Sequence, residues 1–270
     1  MKSNKKHIAV INFIVGSCSL FAQEDTTLTV PLITDRPDAR ESPTAMPKGI
    51  LQIETGSFYE SYEKNSIKKE AFTYNTTLLR YGLLNNLELR VGWNFEEQTV
   101  HINGNKLKDV NSGFHPLLLG FKTTIAQANG WLPEIGFLSH LYLPFMASTD
   151  YKPETTGANF LFAFNHTLSE KSNLGYNIGA AWNNDSPEIA YTYAIAYGYG
   201  ITDKLGMYTE LYGNFPENST ANHFWDAGLT YLISYNVQLD ASVGTSITNG
   251  QDLLVSAGAS FRTPTQKQIR

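Results

Sequence analysis

The chain has 270 residues and a formal net charge of −5, with only 17% charged and 13% aromatic residues. A soluble protein of this length normally carries more charge on its surface. The acidic balance argues against nucleic acid as a partner, because nucleic-acid-binding proteins present basic patches. Cys18 is the only cysteine, which excludes disulfides within the chain.

The first 22 residues are predicted to be a signal peptide for export. Three lysines precede a short apolar stretch over residues 8–15, and the small residue Ala22 follows at the predicted cleavage site. This stretch is too short to span a bilayer, so it is not an anchor. Residues 15–18 also fit a lipoprotein cleavage site, so lipidation of Cys18 remains an alternative to cleavage after Ala22.

Residues 23–49 lack periodicity and contain four prolines, so they are predicted to form an irregular arm at the periplasmic side. Beyond them the chain repeats segments of about ten residues in which apolar and polar residues alternate, which is the period of a β-strand with two unlike faces. Twelve strands are predicted, at 50–62, 70–82, 86–98, 114–127, 131–146, 157–169, 173–184, 189–201, 205–214, 222–234, 237–248 and 252–262. Residues 263–270 are predicted to be a polar tail.

A dozen alternating strands behind an export signal predict one all-β fold, a transmembrane antiparallel β-barrel with both termini periplasmic. Closure removes unpaired strand edges, which lipid does not tolerate. Five tight turns lie on the same side as the termini, and longer loops are predicted at 63–69, 98–113 and 147–157. The alternative is a soluble β-sandwich or lipocalin-like barrel, whose outward positions should be polar.

The strand parity that directs large aromatic residues to lipid directs charged and polar residues into the lumen. The predicted lumen residues are Gln52, Glu54, Arg80, Glu88, Arg90, Lys122, Glu134, His140, Glu210, Asp226, Gln238, Asp240 and Arg262. Two interpretations stay open for them. They form an ion-pair network that holds the strands in register, or a constriction that selects solutes by charge. A barrel of twelve strands is wider than the eight-stranded barrels, which side chains fill, and narrower than the porins, which are open. A narrow pore is therefore compatible with the predicted number of strands.

Several sequence blocks carry a family resemblance. The opening blocks are Leu32–Asp38, Glu41–Pro43, Pro47–Gly49 and Leu51–Gly56, and later ones are Gly130–Pro133, His166–Ser169, Gly175–Gly179, Glu210–Gly213 and Gln238–Asp240. They resemble a bacterial outer-membrane transporter family related to proteins named for a meta-pathway of phenol degradation. The resemblance implies a barrel in the outer membrane that takes up small, including aromatic, compounds, and it implies no catalytic residues. Phe261 would serve as the terminal aromatic residue that barrel-assembly machinery recognises.

The resemblance also draws attention to the charges of the arm. We expect residues 23–49 to fold into or across the periplasmic mouth of the barrel, with Asp35 and Arg36 pairing with Arg80, Arg90 or Glu88. The alternative is a solvated tail.

Three function classes follow from these features. The first is passage of small solutes, and the second is a closed structural or recognition barrel that uses its outer loops, above all 98–113 with Lys106, Lys108 and Asp109. The third, lipid hydrolysis, is the weakest, because Ser139 and His140 are neighbours on a strand and point to opposite faces. We therefore expect no enzyme activity, no metal site and no cofactor. The expected partners are outer-membrane lipids, the assembly machinery and a small solute.

Overall fold

The computed structural model describes residues 32–107, 110–248 and 250–263. Within these residues, fourteen strands join one antiparallel sheet. They are β1 (Leu51–Lys64), β2 (Ile67–Leu84), β3 (Leu87–Ile102), β4 (Asn105–Lys106), β5 (Asn111–Phe114), β6 (Leu117–Ala126), β7 (Glu134–Leu143), β8 (Gly157–Thr167), β9 (Ser172–Trp182), β10 (Ile189–Gly200), β11 (Leu205–Pro216), β12 (Asn222–Ser234), β13 (Val237–Ser246) and β14 (Gln251–Arg262).

The sheet closes into a barrel because the first long strand pairs with the last. Gly56 of β1 lies opposite Gly258 of β14, and each remaining long strand pairs with its neighbours in the chain. Among the described residues, β4 and β5 are short additions to β3, so twelve strands form the wall. The predicted closed twelve-stranded barrel is confirmed.

The two faces of the wall reverse the distribution of apolar and charged side chains that is usual in a soluble protein. Ile195, Leu211 and Leu229 on the outer face are each about half exposed, whereas Arg80 and Lys122 on the inner face are completely buried. Apolar side chains facing outward and charged side chains facing inward suit a wall surrounded by lipid, because charge on the lipid face is costly. The exposed apolar band therefore distinguishes this barrel from a soluble one.

The loops at one end are shorter than the sequence suggested. The predicted loop at 63–69 is a tight turn at Asn65 and Ser66, both with positive φ, and β1 and β2 continue to either side of it. The predicted loop at 98–113 contains the end of β3, which pairs with β2 as far as Ile102. Strand pairing therefore extends into segments whose polar composition had suggested loops.

One predicted strand, 114–127, is interrupted. It divides into β5 and β6 at His115 and Pro116, since proline has no N–H to donate to the ladder. The segment predicted as 131–146 begins only at Glu134 and ends at Leu143, followed by two short 3-10 turns. The expectations for the signal peptide, Cys18, residues 23–31, Lys108, Asp109 and residues 264–270 concern positions outside the described residues.

The arm is the one long described segment that does not belong to the wall. Residues 32–50 are irregular, and Ala45, Met46 and Ile50 are at most 4% exposed. The arm joins the wall where Gly49 donates its N–H to the carbonyl oxygen of Gly82. Among the described residues, no helix is long and apolar enough to cross a membrane.

Candidate functional site: the lumen and its arm

The arm crosses the inside of the barrel and is hydrogen-bonded to strands on several sides. Its backbone N–H groups donate to wall side chains, from Ala39 to Glu210 at 2.7 Å and from Met46 to Glu88 at 2.7 Å. Between these points, the N–H of Glu41 donates to the side chain of Asn177 at 2.7 Å. An irregular segment must satisfy its backbone groups when it is buried. The inward polar side chains of the wall supply those partners.

Asp35 lies at the centre of a cluster of three cations. Its carboxylate is 2.7 Å from Lys122, 2.9 Å from Arg80 and 3.3 Å from Arg90, and its side chain is 2% exposed. The carboxylate also accepts the N–H of Ser42 at 2.8 Å, so the arm folds back on itself at this point. The expected pairing of Asp35 with Arg80 or Arg90 matches this geometry, and Lys122 is an additional partner.

Arg80 connects the arm to two wall carboxylates. Its guanidinium donates to both oxygens of Glu88, at 2.8 and 3.0 Å, and to Glu54 at 2.9 Å. It also donates to the carbonyl oxygens of Ile33 and Thr44 in the arm. A planar guanidinium with five N–H donors can bind several acceptor oxygens at once, which the ammonium group of lysine does less well. Arg80 thus binds two parts of the arm to neighbouring strands.

Arg36 pairs elsewhere than expected. Its guanidinium lies 3.1 Å from Asp240 on β13 and 5.1 Å from the ring centroid of Phe58, a cation–π contact. It is not paired with Glu88, because the consecutive residues Asp35 and Arg36 direct their side chains to different sides of the wall. Gly56 and Gly258 provide the space, since a Cβ on either would come within 2.3 Å of the guanidinium.

Three arm carboxyl groups have shifted pKa values. Burial raises the pKa of Asp35, but the charges of Arg80, Lys122 and Arg90 outweigh it and hold that pKa well below its usual range. Burial raises the pKa of Glu41 to about 7, against the opposing effect of Arg90 at 2.8 Å. Burial also raises the pKa of Asp38, although Arg40 lies 3.2 Å away.

The other predicted lumen residues are also on the inner face, but they do not form one cluster. Glu134 accepts a hydrogen bond from Thr44 of the arm at 2.9 Å, and Gln238 donates to Thr34 at 3.1 Å. Arg262 donates to the turn between β12 and β13. The remaining predicted lumen residues are at most 4% exposed, and they are Gln52, His140, Glu210 and Asp226. Of these, Gln52 donates hydrogen bonds to Glu54 and to the carbonyl oxygen of Ile33 in the arm.

The residues that connect the arm to the wall include some that are absent from the set predicted from the sequence, among them Asn177 of the wall and Glu41 of the arm. Asn177 lies on the inner face of β9, and strand parity could have identified it, although asparagine carries no charge to draw attention. Glu41 pairs with Arg90, and its place in the arm gave no strand parity to apply. In the described part of the chain, no group of three or more His, Cys, Asp or Glu side chains could hold a metal ion.

The arm divides the lumen into two chambers. The loop-end chamber, at the end of the barrel with longer connections, has a volume of about 610 Å³ and is lined in part by Phe58, Leu78, Leu118 and Tyr142. The terminal-end chamber, at the end where β1 begins and β14 ends, measures about 400 Å³. Residues 36–38 line both chambers. This part of the arm therefore borders both chambers.

A family model described as "Putative MetA-pathway of phenol degradation" matches residues 34–263, which include most of the arm and the whole wall. The chain belongs to this family. The resemblance inferred from the sequence blocks is therefore confirmed. None of the curated proteins matches the chain significantly.

Solved structures share the family member's fold at low sequence identity. The COG4313 outer membrane channel from Pseudomonas putida F1 is 14% identical, covers 82% of this chain and 97% of its own, and has a TM-score of 0.64. The transport unit of the autotransporter AIDA-I from Escherichia coli is 10% identical, with coverages of 94% and 97% and a TM-score of 0.52. At these identities the likeness establishes an outer-membrane type of barrel fold.

Proposed function

We propose that this protein is an outer-membrane channel for small solutes, including hydrophobic and aromatic ones, and that the arm controls passage through it. The observation that carries the proposal is the pair of chambers separated by residues 36–38. The lumen is neither filled by side chains along its length nor open throughout. A channel closed by a short segment of its own chain accounts for both features.

The loop-end chamber has the size and lining for a small aromatic molecule. Its volume of about 610 Å³ falls within the ~300–1,000 Å³ common for small-molecule sites. Phe58 and Tyr142 contribute aromatic surface, while Asn94 and Asn184 supply polar groups. The family description, which names phenol degradation, supports an aromatic solute.

The outer membrane is the proposed location, with the arm at the periplasmic end. The apolar outer face and the fold shared with outer-membrane proteins support it. No enzymatic step is part of the proposal, because several of the inward charged residues hold the arm in place, among them Arg80, Glu88 and Lys122. Ser139 and His140 also lie on opposite faces of β7, since His140 is buried inside the lumen.

Swelling of proteoliposomes tests the proposal. Phenylalanine and glucose are suitable probes, since neither crosses a bilayer freely and only one is aromatic. We expect phenylalanine to enter faster than glucose in the wild type, and both to enter faster when residues 32–46 are deleted. If neither the wild type nor the deletion variant gives a solute-dependent rate, the barrel is closed and the structural or recognition role replaces this one.

A further inference from the structure

A second group of acidic side chains lies across the lumen from the Asp35 cluster. Glu210 of β11 and Asp226 of β12 are directly opposite each other in the strand register, and both side chains point inward. They are 1% and 2% exposed. Like charges directly opposite on adjacent strands repel each other, and burial strengthens the repulsion.

In the part of the chain that the structure describes, no cation is in direct contact with this pair. Among the described residues, no lysine or arginine nitrogen lies within 4.0 Å of either carboxylate, although six other lumen and arm carboxylates are paired in that way, Asp240 with Arg36 for example. Arg40 donates to Asp38 at 3.2 Å, and its charge acts on Glu210 only from a greater distance. Asp38 adds a third negative charge close enough to act on both Glu210 and Asp226.

Buried polar atoms of this group are left without partners. Oε1 of Glu210, Oδ1 of Asp226 and the hydroxyl of Tyr208 make no hydrogen bond to any described residue, although Oε2 of Glu210 accepts the N–H of Ala39. Buried polar atoms are nearly always satisfied, so an unpartnered set of oxygens indicates a missing partner. A partner that satisfies three oxygen atoms and offsets the repulsion carries positive charge.

The group can be reached from the lumen. Asp38 and Tyr208 line the terminal-end chamber, and the hydroxyl of Tyr208 lies close to the carboxyl group of Asp226. A small ion in this chamber therefore meets Asp38 and Tyr208, which border the pair formed by Glu210 and Asp226. The absence of three convergent acidic or histidine ligands among the described residues disfavours a tightly held divalent metal. A weakly held monovalent ion needs fewer charged ligands.

We propose that Glu210 and Asp226 bind a permeating monovalent cation, with the Tyr208 hydroxyl as a neutral ligand, and that this site makes the channel cation-selective. Rings of acidic side chains select cations in other channels by the same electrostatic attraction. The selectivity rests on the proposed function, whereas the binding of the cation does not. The competing explanation is a proton shared between the two carboxyl groups.

Anomalous diffraction from crystals soaked in Tl⁺ tests binding directly. We expect a peak beside Oε1 of Glu210 and Oδ1 of Asp226, and its loss in Glu210→Gln and Asp226→Asn. Asp203→Asn, a change at an exposed carboxylate on the turn between β10 and β11, should retain the peak. A wild-type crystal at pH 8 with no peak at this position would overturn the proposal in favour of the shared proton.

The reversal potential in a KCl gradient tests selectivity. We expect the wild type and Asp203→Asn to favour K⁺, and Glu210→Gln and Asp226→Asn to shift toward a permeability ratio of about one. Unchanged selectivity in both variants would overturn the selectivity role. A Tl⁺ peak in a protein that conducts no ions would support the cation site and contradict the proposed channel function. Conduction without a Tl⁺ peak would contradict the cation site and support the channel function.

Discussion

Oδ2 of Asp35 lies 2.7 Å from Nζ of Lys122, and the two side chains are 2% and 0% exposed. One residue belongs to the arm and the other to the wall, so this ion pair connects the closing segment to the channel. Removing one member of a buried ion pair is costly, because the other charge stays buried without compensation. The contact therefore makes the position of the arm testable by single substitutions.

Replacing Asp35 with asparagine should release the arm. The change leaves Arg80, Arg90 and Lys122 facing fewer negative charges, at a cost of about 3–5 kcal/mol. We expect faster proteolytic cleavage within residues 32–46 and a higher single-channel conductance than in the wild type. Asp203→Asn is the matched control on an exposed turn. An arm as protected in Asp35→Asn as in the wild type would contradict the prediction.

Replacing Gly258 with alanine should displace Arg36. A Cβ there would lie 2.3 Å from Nη2 of Arg36, so the guanidinium must move away from Asp240, and such overpacking costs about 1–3 kcal/mol. Gly200→Ala is the control, because the atoms nearest to its Cβ would be 3.7 and 3.9 Å away. Thermal unfolding in detergent should show a lower Tm for Gly258→Ala alone. Equal Tm values for the two variants would argue against the close fit.

Replacing Arg80 with methionine should destabilise the whole barrel. Glu54 and Glu88 would then face each other and Asp35 without the guanidinium, and breaking such a buried pair costs about 3–5 kcal/mol. Lys68→Met removes a partly exposed ion pair with Glu70 and should change stability by about 1 kcal/mol or less. Urea unfolding from lipid vesicles compares the two. Similar losses in both variants would show that the Arg80 contacts add little.

The equilibrium between the closed and the released arm should depend on pH through the protonation of Glu41. Its pKa is about 7 in the closed arm against 4.5 in water, so the closed arm binds the proton more tightly. The contribution of Glu41 to closure of the arm is therefore complete below pH 4.5. As the pH rises from there to about 7, the equilibrium constant for closure falls by up to about tenfold per pH unit. The charged groups facing it are Arg90, Lys122 and Asp35.

The contribution of Asp35 to closure of the arm has the opposite pH dependence. Its pKa in the closed arm lies well below 3.8, so its contribution is complete above pH 3.8 and is lost only as the pH falls through the lowered value. Conductance recorded from pH 5 to 8 should therefore rise with pH in the wild type. Glu41→Gln should remove this dependence, and a wild-type conductance that does not change over the range would contradict the prediction.

The sequence by itself determined the wall and its two faces. Alternation along a strand depends only on local geometry, so the inward positions of Glu54, Arg80 and Lys122 followed from parity. The number of strands followed in the same way, since each alternating segment is closed by a turn. The resemblance to the family depended on residue blocks that are likewise visible in the chain.

Only the tertiary structure decided which charges meet. The arm has no period, so no local rule places Asp35 among three cations or turns Arg36 toward Asp240, more than 200 residues away in the chain. The same holds for Glu210 and Asp226, whose adjacency depends on strand register and whose lack of a cation depends on where the arm lies. Electrostatic partners are set by distances through space, and those distances exist only once the barrel has closed around the arm.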